Sequence, residues 1–493
     1  MKNNTKKIVN LGLIGILLIL SLQTININAV NGRGNSFPTK IEQTNRVEVL
    51  DNLIASLEGI SDNDTKKSMI DDFMAEQTPY GFPVIFNDTI VFVFRGNAPN
   101  ASVGARIFVD PQPMNHVSGT DFFYRKFTLF NDVGATYWFF YNNTFTYDPL
   151  NNGTIVCCGL DYSHVFRMPE YSDDGSHLFD MDVGSTVVSH SFTSSNNNNK
   201  YNVRVYLPAG YATDTEKRYK SFYAGDGSGY LDGRQVDKTL NYLDYYNITD
   251  PLIGVFIYPE DGANRDPDFF NGRQSYGKFI VEELIPFIDS TYRTINNSRS
   301  RAHVGYSAGG FFSFYVALEY PDVFNLIGSQ SGALGETFSN LTSQSPSNED
   351  LIELYFQNHP KNENFRIYLN AGTFEVNVSN HHLFSDNEGV AKVLAEKDYT
   401  AKFRAFHQGH DPFQWRATFA EMLTFLFTDK CSDYSGSPIM YGDIQNPACG
   451  STSTTTTTTT PSTTDGNPES APGFSLIIVL SILAIGFKRK RIK

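Results

Sequence analysis

Residues 185–430 alternate strand-like and helix-like patterns, which predicts an α/β fold: a mostly parallel sheet covered by helices on both faces. Two further observations refine this. Residues 79–184 are a series of short β-rich runs with Gly, Asn, Asp and Pro between them, the pattern of a small β-sandwich. Residues 30–78 carry apolar residues at helical spacing and predict a short helical lead-in.

In the lead-in, Val47, Leu50, Leu53, Ile54 and Leu57, then Met69, Ile70, Phe73 and Met74, recur every three or four residues. The runs of the sandwich are Thr89 to Arg95, Ala105 to Val109, Phe122 to Leu129 and Ala135 to Tyr141. Beyond residue 185, strands are expected at Tyr201 to Leu207, Tyr219 to Ala224, Leu252 to Tyr258, Ala302 to Val304, Leu326 to Gly328, Phe365 to Asn370 and Thr400 to Ala405. Helices are expected at Phe279 to Ile288, Gly309 to Leu318 and Phe413 to Phe427. The Leu252 run is continuously apolar, as a strand buried on both faces must be. The segment from Glu336 to Asn358 reads as an inserted polar lid.

Both ends carry export features. Basic residues up to Lys7, an apolar run from Ile8 to Leu22 and a cleavage site at Ala29 read as a secretory signal over 1–29, with an uncleaved anchor as the alternative. Residues 451–471 form a Thr-rich stalk that cannot pack a core. Residues 472–493 hold Pro472-Gly473-Phe474, about fourteen apolar residues and a basic tail. That arrangement resembles the sorting signal of archaeal surface proteins, which implies cleavage and attachment to a membrane lipid. The alternative is a plain membrane segment. Either way the reading is extracellular and tethered to the cell surface. Nine Asn-X-Ser/Thr sequons beyond the signal fit an exported chain.

The net charge is −14, and eight Lys and Arg residues sit in the two termini, so the body between them is more acidic still. Such a body argues against nucleic-acid binding, which needs a basic face. Of the four cysteines, Cys431 and Cys449 frame residues 431–450, a segment a disulfide would close. The adjacent Cys157 and Cys158 point to opposite faces of a strand and are not expected to pair. No metal-ligand spacing appears among them.

The chemistry centres on Gly305-Tyr306-Ser307-Ala308-Gly309, a G-x-S-x-G motif between a strand and a helix. The glycines clear space for a sharp turn that lifts the Ser307 hydroxyl above the sheet. A serine hydroxyl is a weak nucleophile and needs a base. His410, between the last strand and the last helix, fits best. His407 reads as a strand end, His303 as packed, and His381 and His382 as loop residues. A carboxylate must then fix the imidazole tautomer. Glu375, after the strand ending near Asn370, is the first choice and Asp386 the second. The chain order Ser307, Glu375, His410 is that of the α/β-hydrolases. The oxyanion donors are expected to be the amide of Ala308 and one from Gly225-Asp226-Gly227-Ser228-Gly229, with Ser228 ahead of Gly227.

The stretch from Asp226-Gly227 through Asn264-Arg265-Asp266, Glu283-Leu284-Ile285-Pro286, Gly305 to Gly310 and Gly409-His410-Asp411 to Trp415 resembles the esterase family of enterochelin esterases, esterase D and the feruloyl and acetylxylan esterases. The resemblance implies an α/β-hydrolase domain that cleaves carboxylic esters with no metal or organic cofactor, with Ser307, Glu375 and His410 as its triad. It also implies that Arg265 lies near the mouth of the site and binds an anionic or polar substrate group. Phe94-Arg95-Gly96, the aromatic strand, Tyr147-Asp148-Pro149-Leu150-Asn151 and the segment from Ser163 to Tyr171 resemble the Ig-like N-terminal domain of enterochelin-esterase-type proteins and starch-branching enzymes. The expected partners are a small-molecule or polysaccharide-linked ester and, through the C-terminus, the membrane. Two other readings keep the same sequence features: an acyltransferase on the same triad, and a surface binding protein with an idle hydrolase domain.

Overall fold

The computed structural model describes residues 40–428, except 143, 152–153, 158–160, 260–264, 336–351 and 379–381. The signal, the Cys431–Cys449 segment, the stalk, the C-terminal anchor and most of the expected lid lie outside the described residues, as do Cys158 and His381.

Helices Lys40–Glu58 and Asn63–Gln77 open the chain, the second capped by Asp62, whose side chain accepts from the Thr65 amide. They pack Leu50, Leu57, Ile70 and Phe73 onto Val91 and Val93. These valines belong to β2 (Thr89–Arg95), which lies between β1 (Val84–Phe86) and β6 (Phe122–Thr128), with β5 (Asn115–His116) at the far edge. Alternate residues of β2, Ile90, Phe92 and Phe94, point the other way, toward a second antiparallel sheet. That sheet runs β4 (Gln112–Pro113), β3 (Ala101–Ala105), β7 (Gly134–Tyr141), β10 (Asp161–Arg167), β9 (Thr154–Cys157), with β8 (Thr144–Thr146) paired to β7. Phe92, Tyr137, Phe139 and Phe166 fill the space between the sheets. The Tyr137 hydroxyl donates to Asp148, and Asn151 bridges Tyr137 to the Val165 carbonyl, so the Tyr147–Asn151 motif ties β7 to β10 from within. The strand expected over Ala105 to Val109 instead ends at Ala105. The Arg106 amide still donates to the Thr136 carbonyl of β7, but the chain then turns, and Phe108 donates back to the Ala105 carbonyl.

The third sheet has eight strands in the order β11 (Thr186–Thr193), β12 (Lys200–Leu207), β14 (Leu252–Pro259), β13 (Lys220–Ala224), β15 (Arg301–Tyr306), β16 (Leu326–Gln330), β17 (Arg366–Gly372), β18 (Thr400–Phe406). β11, β12 and β14 pair antiparallel, and every later pairing is parallel. Side chains alternate between two cores. Tyr223, Val255, Ile257 and Ile367 face helix Ala308–Glu319, while Phe222, Phe256, Val304 and Tyr368 face helices Val236–Tyr245 and Phe419–Phe427. Each fully buried side chain of this size contributes roughly 1.5–3 kcal/mol, so register is fixed from both faces.

Two expectations are corrected here. The single helix over Phe413 to Phe427 is two, Pro412–Ala417 and Phe419–Phe427. Thr418 breaks it at φ −107°, ψ 3°, where its hydroxyl donates to Gln414 and accepts from Gln330 and Asn370. The C-terminal part of the expected polar lid is helix Ile352–Asn358, which buries Ile352 and Phe356 in the core.

Candidate active site

Parallel strands place functional side chains beyond their C-terminal ends, and the loops after β13, β15, β16, β17 and β18 converge there. Ser307 follows β15 with φ 55° and ψ −124°, a strained conformation for a non-glycine residue. The fold holds it there: its amide donates to Gln330, and its carbonyl accepts from Gly310, Phe311 and Ala333. A Cβ on Gly305 would stand 2.2 Å from the Gly309 backbone, so only glycine permits this turn. A Cβ on Gly309 would meet Asp226 Oδ2 at 2.7 Å.

His410 lies between β18 and helix Pro412–Ala417. Its Nε2 is 2.9 Å from Ser307 Oγ, and its Nδ1 is 3.2 Å from Glu375 Oε2. The Glu375 carboxylate is fully buried, and its other oxygen accepts from the Gly372 amide at 2.9 Å and the Ser331 hydroxyl at 2.7 Å. Its charge therefore has three donors to offset desolvation. The loops bearing Glu375 and His410 are laced together: the amides of Thr373 and Phe374 donate to Phe406 and Gln408.

Three residues without a role in the sequence reading complete this arrangement. Ser331 sits at φ 49° just after β16, and its hydroxyl accepts from Trp415 Nε1 at 2.8 Å while donating to Glu375. Trp415 also stacks on Tyr306, with centroids 4.4 Å apart, and meets the His410 ring edge-on at 4.8 Å. Asp411 caps the following helix and reaches into the sandwich, accepting from Thr136. A buried strand ending in Gln330-Ser331-Gly332 was the signal for the first. A polar residue at the C-terminal end of a parallel strand is well placed to touch a site.

The remaining residues singled out in the sequence are spread around this centre. Ala308 starts the helix after Ser307. Gly227 is buried and precedes the single turn Ser228–Gly233, while Ser228 is exposed. A Cβ on Gly227 would meet the Tyr258 ring at 2.7 Å. Arg265 gives Nε and Nη2 to Asp226 and Nη1 to Asp266. Its charge is thus largely matched, and its guanidinium lies 5.5 Å from the Tyr306 ring. Asp386 is in the first turn of helix Leu383–Glu396, beside Gly335, rather than on His410. His303 is buried in β15 and held neutral, its pKa lowered to about 3 by burial. His407 follows β18, stacks on Phe130 and pairs with Asp132 at 2.8 Å. His382 immediately precedes helix Leu383–Glu396, and its side chain makes no capping bond. Among the described residues no three His, Cys, Asp or Glu side chains are grouped as metal ligands, and no helix is long and apolar enough to cross a membrane.

Residues 194–426 match the model of the family described as "Putative esterase". This region is an esterase domain. It is the domain of a carboxylic ester hydrolase. The esterase domain is 29% identical over 244 residues to the uncharacterized protein YjcH of Bacillus subtilis, a match covering 47% of this chain and 93% of that protein. It is 28% identical over 137 residues to the esterase Rv1288 of Mycobacterium tuberculosis, covering 26% of this chain and 28% of that one. Among solved structures, the ferric enterobactin esterase of Salmonella typhimurium is similar with a TM-score of 0.59 at 18% identity, over 69% of this chain and 93% of that chain. The enterobactin esterase of Shigella flexneri, solved in the presence of enterobactin, gives 0.58 at 18% identity, over 69% and 92%. These likenesses place the esterase domain in the α/β-hydrolase fold.

Proposed function

We propose that the protein hydrolyses carboxylic esters through an acyl-enzyme on Ser307, with His410 as base and Glu375 as the carboxylate that orients it. The observation that carries this is the 2.9 Å contact between His410 Nε2 and Ser307 Oγ. His410 Nδ1–H is donated to Glu375, which leaves Nε2 free to accept the hydroxyl proton. Ser307 Oγ bonds to the ester carbonyl carbon, and His410 takes the proton. The C–O bond to the alcohol breaks, and His410 returns the proton to the departing oxygen. A water then repeats the sequence and releases the acid. Developing charge on the carbonyl oxygen is met by the Ala308 amide and by Gly227 or Ser228. Arg265, matched to Asp226, shapes the mouth beside Tyr306.

The N-terminal signal, the Thr-rich stalk and the Pro-Gly-Phe segment support an enzyme that acts outside the cell while tethered to it. The test is hydrolysis of p-nitrophenyl acetate by the purified protein and its Ser307→Ala variant, with labelling by a fluorophosphonate probe. The native protein is expected to turn over and label, and the variant to do neither while keeping its circular dichroism. Undiminished turnover by the variant removes Ser307 from the mechanism.

A further inference from the structure

Arg234 is 2% exposed, yet its Nε and Nη2 donate to nothing among the described residues. The chain is not short of carboxylates, at −14 net charge, and it pairs the partly buried Arg265 with Asp226 and the buried Arg301 with Asp289. Arg234 is instead packed on aromatic faces. Its Cζ lies 4.1 Å from the Tyr306 ring and 5.0 Å from the Trp415 ring. Tyr306 precedes Ser307, and Trp415 touches His410.

Further unpartnered donors lie close by. Among the described residues Arg416, next to Trp415, has a buried Nε with no acceptor, and His177, 3% exposed, has no partner at either ring nitrogen, one of which carries the N–H of the neutral imidazole. Burial lowers the Arg416 pKa to about 10, with Arg167 and Arg234 adding to the effect. Burial, then Arg416, lowers that of His177 to about 4. Of the acids on the same segment, Asp173 accepts from the Tyr171 hydroxyl and the Gly175 amide, and Asp174 accepts from the Ser176 amide.

Stacking satisfies the faces of a guanidinium but not its N–H groups, which point outward in the ring plane. Buried donors left open in this way call for a bound acceptor. The group that meets a guanidinium edge best is a planar or tetrahedral oxyanion. We propose that Arg234, Arg416 and His177 form an anion subsite beside Ser307 that takes a carboxylate or phosphate group. The group is carried by the ester substrate or arrives as a free ion. The first source rests on the esterase reading above, and the second does not.

The test has two arms on the full chain. In the binding arm, inorganic phosphate and succinate are titrated calorimetrically into Ser307→Ala protein at constant ionic strength, with and without Arg234→Met. In the second arm, kcat/KM is compared for p-nitrophenyl hemisuccinate, hemiglutarate and hemiadipate against neutral esters of equal length. We expect binding that weakens at least ten-fold in Arg234→Met. We also expect, if the substrate carries the anion, a preference for one hemiester that falls at least ten-fold in the variant. Binding without that preference assigns the subsite to a free ion. Arg234→Lys and Arg416→Gln serve if Arg234→Met does not fold. The absence of both binding and preference in the native sequence overturns the subsite, as do equal values across all variants. Anion binding with no turnover of any ester sinks the esterase reading and leaves the subsite standing.

Discussion

The amide of Thr136, in the sandwich, donates to the carboxylate of Asp411 across 2.7 Å, and Asp411 is the residue after His410. The Thr136 hydroxyl adds a second bond at 3.1 Å, and the other Asp411 oxygen accepts from the Phe413 amide at 2.9 Å. The sandwich meets this loop once more and the Glu375 loop as well. A Cβ on Gly409 would stand 1.8 Å from the Arg106 carbonyl, and Phe374, beside Glu375, packs against the sandwich core. The upstream domain therefore forms one wall of the site and holds two of its loops.

Asp411→Ala strips acceptors from buried donors. Each orphaned donor costs on the order of 1–3 kcal/mol, so denaturant unfolding should show a clear loss of stability. Folded variant should also lose kcat more than KM, because the His410 loop loses its anchor. Native stability in this variant would show that the sandwich contact is incidental.

Glu375→Gln keeps the shape but reverses the hydrogen bond to His410. The Ser331 and Gly372 donors hold the amide oxygen on their side, so the amide nitrogen donates toward Nδ1. The imidazole then carries its proton on Nε2 and cannot accept from Ser307. We expect kcat to fall by roughly 10³-fold or more. A loss below ten-fold would point to another acid.

Ser331→Ala removes one donor from Glu375 and the acceptor of Trp415 Nε1. A buried charge-assisted bond contributes about 1.5–3 kcal/mol, so a ten-fold or greater drop in kcat is expected with little change in KM. Trp415→Phe keeps a ring against Tyr306 and His410 and should cost less. Equal kinetics for Ser331→Ala and native protein would confine Ser331 to a packing role.

His303 gives a pH signature of stability. Its Nδ1 contacts Ser313 Oγ at 2.9 Å in the core, and burial lowers its pKa from 6.5 to about 3. Between these values the unfolded chain binds a proton that the native chain refuses, so stability falls as pH drops through this window. His303→Leu should flatten the part of the melting-temperature profile between about pH 6.5 and 4. A profile parallel to the native one would mean that other groups set the slope.

The sequence by itself determined the fold class, the strands β12 to β18 in their chain order, and Ser307, Glu375 and His410 as the residues to watch. It could do so because these depend on local pattern: period-two burial, glycines that permit one sharp turn, and polar residues at strand ends. Tertiary structure decided the rest. Ser331, Trp415 and Thr136 reach the site only because β16, helix Pro412–Ala417 and β7 meet around His410, and contacts spanning up to 275 residues leave no local trace. The break at Thr418 was hidden for the same reason, since its hydroxyl is claimed by Gln330 and Asn370 from neighbouring strands. So was the balance of charges. Arg265 and Arg234 both lie upstream of Ser307 in the sequence, and only packing gives one of them an aspartate and leaves the other stacked on rings with Nε and Nη2 open among the described residues.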